Sequence, residues 1–114
     1  MTIDKKFINQ FIDVSSKAAL ASSYLVGKKN KVAADQAAVD SMRFELNKID
    51  MTGKVVIGEG SLDDAPMLYT GEILGNKKGP NFDIAVDPLE GTNFAANNLP
   101  GAISVIAIAE KGNL

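Results

Sequence analysis

The sequence changes its grammar at Met51-Thr52-Gly53, and that switch limits the folds open to the chain. Before it, apolar residues recur at helical spacing. Ile3, Phe7, Ile8, Phe11 and Ile12 open an amphipathic pattern that continues through an Ala-rich stretch to Leu25. Asp4 is the expected N-cap of this first helix and Gly27 its stop. Lys28–Lys31 forms a basic break. A second helix is expected from about Ala34 to Lys48, with Val39, Met42, Leu46 and Ile49 along one stripe. After the switch come short runs rich in β-branched residues, Val55-Val56-Ile57, Phe82–Val86 and Ile103–Ala109. Met67-Leu68-Tyr69 extends towards Ile73-Leu74 as a further candidate strand. Turn-rich segments at 75–81 and 97–101 separate the runs, and Pro88 is expected to end the second long one. Two helices followed by a sheet predict an α+β or layered α/β arrangement.

Among its 114 residues the chain has no histidine, cysteine or tryptophan. That excludes Cys and His nucleophiles, Ser-His triads, disulfides and zinc sites of imidazole and thiolate. Any metal must be held by oxygen, which favours hard cations such as Mg²⁺, Mn²⁺ or Ca²⁺. The net charge of −2 gives no general electrostatic reason to bind nucleic acid or an acidic membrane. Its distribution says more. Residues 1–54 carry nine basic and six acidic side chains, whereas residues 55–114 carry three and eight. Seven of the 14 acids lie between Glu59 and Glu90. No apolar run approaches the length of a membrane helix and the N-terminus lacks a signal-peptide pattern, so a cytoplasmic location is the default expectation. The last strand runs to the end of the chain, which suggests a fragment with a sheet edge still to be covered.

Three segments can carry chemistry. Asp87-Pro88-Leu89-Glu90-Gly91-Thr92 directly follows a buried strand, where α/β proteins place their ligands. Asp87 and Glu90 are three apart, so a tight turn can aim both carboxylates at one point. If a helix starts after Thr92, the N–H groups of Gly91, Thr92 and Asn93 form an anion cradle. The second segment, Gly58–Pro66, holds Glu59 between two glycines, with Asp63 and Asp64 following. The third, Lys31–Gln36, contains Lys31 and Asp35 at the entrance of the second helix. Simpler readings exist for each: a structural acidic turn, Asp63 and Asp64 capping the turn before Pro66, Asp35 as an N-cap, Lys31 as a surface cation. Glu59 can meet Asp87 and Glu90 only if their strands are neighbours. The chain lacks the third glycine of a dinucleotide fingerprint, the spacing of a P-loop and the ligand positions of an EF-hand.

VVIGEGSLDDAPMLYTGE (55–72), FDIAVDPLEGT (82–92), NLPGAISVIAIAEKGNL (98–114) and KKNKVAADQAAVDSMR (28–43) together resemble class II bacterial fructose-1,6-bisphosphatases. Some members of that family also act on sedoheptulose-1,7-bisphosphate. They belong with the lithium-sensitive metal-dependent phosphatases, so the resemblance implies a layered αβαβα sugar-phosphatase fold. It makes residues 1–114 the N-terminal part of such a domain, with the C-terminal remainder absent. It also implies hydrolysis of the 1-phosphate of fructose-1,6-bisphosphate in gluconeogenesis, with two or more Mg²⁺ or Mn²⁺ ions. The metal ligands carried over are Asp35, Glu59, Asp87, Glu90 and the carbonyl of Leu89. The backbone of Glu90, Gly91 and Thr92 would bind the phosphate being removed. Thr92 with Asp63, or with Asp35, would orient and deprotonate the attacking water, and Lys31 would offset charge near the phosphate. The partners implied are a sugar bisphosphate and either further copies of the chain or its C-terminal part. Asn93-Phe94 departs from the Thr-Asn that many relatives carry, which touches side-chain contacts beyond Thr92 but not the backbone cradle.

Overall fold

A computed structural model describes residues 3–60 and 68–114. Helix α1 (Lys5–Ser23) and helix α2 (Lys31–Asn47) come first. Strands β1 (Thr52–Ile57), β2 (Ile73–Leu74) and β3 (Asn81–Glu90), the short helix α3 (Thr92–Ala96) and strand β4 (Ile103–Glu110) follow. The expected order of two helices and then a sheet is what forms. Asp4 caps α1 as expected, its carboxylate accepting from the Lys6 amide at 3.0 Å.

The second helix starts earlier than its apolar stripe suggests. Asn30, not Asp35, is its N-cap, accepting from the Ala33 amide at 3.0 Å. Asp35 therefore lies inside the helix, and the simpler reading of it as a cap is wrong. An Asn at that position satisfies an orphan amide as well as an Asp, so the basic run had hidden the start signal.

The four strands are ordered β2-β1-β3-β4. β1 and β3 run parallel, and β2 and β4 pair antiparallel on the outside. Pro88 does not end β3. Asp87 faces Val105 and Glu90 faces Ile103, so three steps on β3 match two on β4, and the proline sits in this bulge. A bulge tolerates a residue with no amide to donate.

The core lies between the helix pair and one sheet face. Gly53 and Val55 of β1, Phe82, Ile84 and Val86 of β3, and Ile106 and Ile108 of β4 share that face by register and pleat. Val39, Met42 and Leu46 of α2 meet it fully buried, with Ile49 close behind. Removing a side chain such as Leu46 here costs about 2–5 kcal/mol. Phe82 receives the edges of two α1 rings, Phe7 at 5.1 Å and Phe11 at 6.1 Å between centroids. Buried Ala18, Ala34 and Ala38 let α1 and α2 pack closely. Ile8 and Ile12, which share the helical pattern of Phe7 and Phe11, stay about half exposed. On the opposite sheet face, Ile57, Ile73 and Val105 are also exposed.

Candidate metal centre

The parallel pairing of β1 and β3 supplies the condition that spacing alone left open. Ile57 is level with Ala85, so two further residues along each strand bring Glu59 and Asp87 to the same end of the sheet. Gly58 permits this turn because a side chain there would lie 2.6 Å from the Leu68 carbonyl and 2.8 Å from Val55. The loop before α2 is tied to the same end. The amides of Gly27 and Lys29 donate to the carbonyls of Ala95 and Ala96 at 2.9 Å each. Anchoring the start of α2 on α3 carries Asp35 towards the bulge.

Three carboxylates consequently share one electrostatic environment. Burial raises the Asp35 carboxyl, and the charge of Asp87 raises it further. Asp87 is raised by burial and then by Glu90, while the Leu89 amide pulls the other way. Glu59 shows the largest effect. Burial first, then Asp35 and Asp87, push its carboxyl up to about 7 against an opposing pull from Arg43. Its Oε1 atom is buried and, among the described residues, has no hydrogen-bond partner. A buried unpaired carboxylate oxygen is costly unless a cation compensates it.

Among the described residues no three acids stand close enough together to grip one ion. The two observations are compatible, because carboxylate repulsion acts over many ångströms whereas metal–oxygen bonds need about 2.0–2.6 Å. The donor set suits a hard divalent ion: Asp35, Glu59 and Asp87 bring only oxygen, and one of those oxygens is buried and unsatisfied.

The remaining expected site residues fall as follows. Glu90 is exposed at the end of β3, close enough to raise Asp87. Leu89 is buried, so its side chain belongs to the core and only its carbonyl can serve a ligand. Gly91 caps α3 at φ 85°, where a side chain would also lie 2.9 Å from the Phe94 ring. Phe94 and Ala95 donate the first helical hydrogen bonds to the Gly91 carbonyl, so the amides of Thr92 and Asn93 precede them. Thr92 is the first residue of α3, and Lys31 is exposed at the first position of α2. Asp63 lies outside the described residues. A cleft of about 380 Å³ near Ile3, Phe7, Pro80 and Lys111 contains none of these residues and opens at the other end of β3.

A model of the family described as bacterial fructose-1,6-bisphosphatase, glpX-encoded, matches residues 5–114. The chain belongs to this family. It is 48% identical over 112 residues to a D-fructose 1,6-bisphosphatase class 2/sedoheptulose 1,7-bisphosphatase of Prochlorococcus marinus strain MIT 9303, covering 98% of this chain. The protein of the same description from strain MIT 9313 is 47% identical over the same length. In both cases the chain spans 34% of the relative's length. Among solved structures, an extragenic suppressor from Pyrococcus furiosus superposes with a TM-score of 0.61 at 15% identity. That superposition covers 94% of this chain and 41% of the other, and it speaks to the fold alone. Among the described residues, no helix is long and apolar enough to cross a membrane.

Sequence reasoning missed one feature beside this centre. Arg43 of α2 and Glu72 form a two-pronged ion pair, Nε to Oε2 at 2.8 Å and Nη2 to Oε1 at 3.0 Å. Twenty-nine residues separate them, so no local pattern marks the pair.

Proposed function

We propose that this chain supplies the carboxylate half of a metal-dependent phosphatase site acting on the 1-phosphate of fructose-1,6-bisphosphate. The observation that carries the reading is the buried Glu59 Oε1, unpartnered among the described residues, in the joint field of Asp35 and Asp87. The family supports it, since the relatives' names give fructose-1,6- and sedoheptulose-1,7-bisphosphatase activity.

Asp35, Glu59 and Asp87 would hold Mg²⁺ or Mn²⁺, joined by Glu90 and the Leu89 carbonyl. When bound, such ions supply positive charge beside the phosphate oxygens and make a water acidic enough to attack. The chain's own residues do the rest. The amides around Gly91 and Thr92 receive the phosphate being released. The Thr92 hydroxyl, with Asp35 or Asp63, orients the water and takes its proton. Lys31, exposed beside Asp35 at the start of α2, offsets charge that builds on phosphorus-bound oxygens. Attack in line on phosphorus breaks its bond to the sugar oxygen and needs no phosphoenzyme.

A second reading has one observation behind it. No three described acids converge on one point, which favours a site completed by donors outside those residues and little turnover by this chain alone. We would measure phosphate release from fructose-1,6-bisphosphate, sedoheptulose-1,7-bisphosphate and an inositol monophosphate, each with and without Mn²⁺. The assay uses this chain alone and the chain within a protein of its relatives' length. Mn²⁺-dependent release from fructose-1,6-bisphosphate by the longer protein is the expected result. Release that ignores metal removal, or that occurs only from the inositol ester, would overturn the assignment.

A further inference from the structure

The Glu59 end of β1 is held less by the sheet than by residues 68–72. The Glu59 amide donates to the Leu68 carbonyl at 2.8 Å, and the Thr70 amide donates back to the Gly60 carbonyl at 2.9 Å. Lower down, the Val55 amide donates to the Glu72 carbonyl at 2.9 Å and the Gly71 amide to the Val55 carbonyl at 2.7 Å. This short stretch therefore sets where Glu59 sits. It is in turn fastened by one side chain: the Glu72 carboxylate takes both prongs of Arg43 and also accepts from the Tyr69 amide at 3.3 Å. Glu72 is 8% exposed. Arg43 belongs to the helix that carries Asp35, eight residues or about 12 Å further along it.

We propose that Arg43 and Glu72 are positioning residues, a clamp that locks the Glu59 turn to helix α2 and so sets the distance between Glu59 and Asp35. The inference rests on the reading of those two carboxylates as metal ligands. A guanidinium fork suits the task because two parallel bonds fix orientation as well as distance, which a lysine cannot do. The clamp lies outside the proposed ligand set of Asp35, Glu59, Asp87 and Glu90. It acts as outer-shell partners of metal ligands do, by denying the ligands alternative positions.

The test is Arg43→Lys, with two readouts on this chain. The first, amide hydrogen exchange, requires no metal. The Glu59 and Thr70 amides should exchange faster, while those of Leu46 and Ile84 keep their original rates. The second is Mn²⁺ affinity by isothermal titration, expected to fall about tenfold. Unchanged exchange at Glu59 and Thr70, or a uniform rise along α2 and β3, would overturn the clamp by reducing it to a general stabilising contact. Equal, tight Mn²⁺ binding in both proteins would also sink it while leaving the ligand reading intact. If neither the original chain nor a protein of its relatives' length binds Mn²⁺ but the local exchange effect is present, the ligand reading fails and the clamp stands as the device that holds the turn. Should Arg43→Lys not fold, Glu72→Gln provides the same readouts, since it keeps the side chain's shape and removes its charge.

Discussion

Strand β3 carries two aspartates on one face of the pleat, Asp83 near its start and Asp87 near its end, and they live in opposite circumstances. Asp83 is 5% exposed and accepts from the Gly112 amide at 2.8 Å and the Leu114 amide at 3.3 Å. Asp87, less buried, shares its electrostatic surroundings with Glu90 and Asp35, and its carboxyl is raised by burial and charge. The same division separates the glutamates: Glu72 is saturated by Arg43 and Tyr69, while Glu59 keeps a buried oxygen with no partner among the described residues. Buried acids with their bonds made are parts of the scaffold. Buried acids with bonds unmade are where the proposed cation would act, because leaving such oxygens unpaired is costly.

That contrast can be broken most directly at Asp87. Asp87→Ala should weaken Mn²⁺ binding beyond the ~100-fold that outer-shell changes reach, whereas Asp83→Ala should leave it within a few-fold of the original. Parallel calorimetric titrations decide the matter, and comparable losses in the two variants would erase the distinction.

The pH dependence of stability sharpens it next. Glu59 binds its proton more tightly in the folded chain, with a carboxyl raised to about 7 from an ordinary 4.5. The metal-free fold therefore takes up protons relative to the unfolded chain, and this contribution is fully present below about 4.5 and lost as pH rises through about 7. Because the group is only partly buried, screening reduces the effect to about 1–2 kcal/mol. Subtracting the urea-unfolding profile of Glu59→Gln from that of the original chain, without metal, should isolate this loss. A flat difference between pH 4.5 and 7 would contradict it. Saturating Mn²⁺ should reverse the trend, since binding to the folded state alone adds stability.

At the saturated end, Asp83→Ala should destabilise by about 0.5–1.5 kcal/mol, the net worth of a lost hydrogen bond whose donors water can reach. Thermal unfolding measures it, and a neutral result would show that the Gly112 and Leu114 amides find other acceptors. The smallest effect distinguishes the two residues at the start of α2. Asn30→Ala should cost about 1 kcal/mol of stability as a lost cap. Asp35→Ala should cost none and instead weaken metal binding. If Asp35→Ala proves the more destabilising of the two in metal-free buffer, Asp35 is the structural residue after all.

Much of this architecture was legible in advance, for physical reasons visible in particular residues. Val39, Met42 and Leu46 read as a buried helix face and are one, while Ile49, also buried, lies two residues past the end of α2. The runs at 55–57, 82–86 and 103–109 all fall within strands. Local periodicity survives into the fold because burial selects one face of each element. The misreadings came where local rules compete. Asn30 was obscured by the lysines around it, Pro88 was absorbed by a bulge, and Ile8 and Ile12 obey the helical pattern without finding a cover.

The sequence by itself determined the chemistry of this protein: oxygen donors alone, acids gathered between Glu59 and Glu90, a glycine where the backbone must turn left-handed at position 91. Residue type and local spacing are enough for that. Only the tertiary structure decided which acids matter. It set β1 beside β3, tied the entrance of α2 to α3, satisfied Asp83 and Glu72, and left Glu59 Oε1 unsatisfied. Whether a carboxylate is a strut or a ligand depends on the partners that distant segments bring to it, and separation along the chain carries no trace of them.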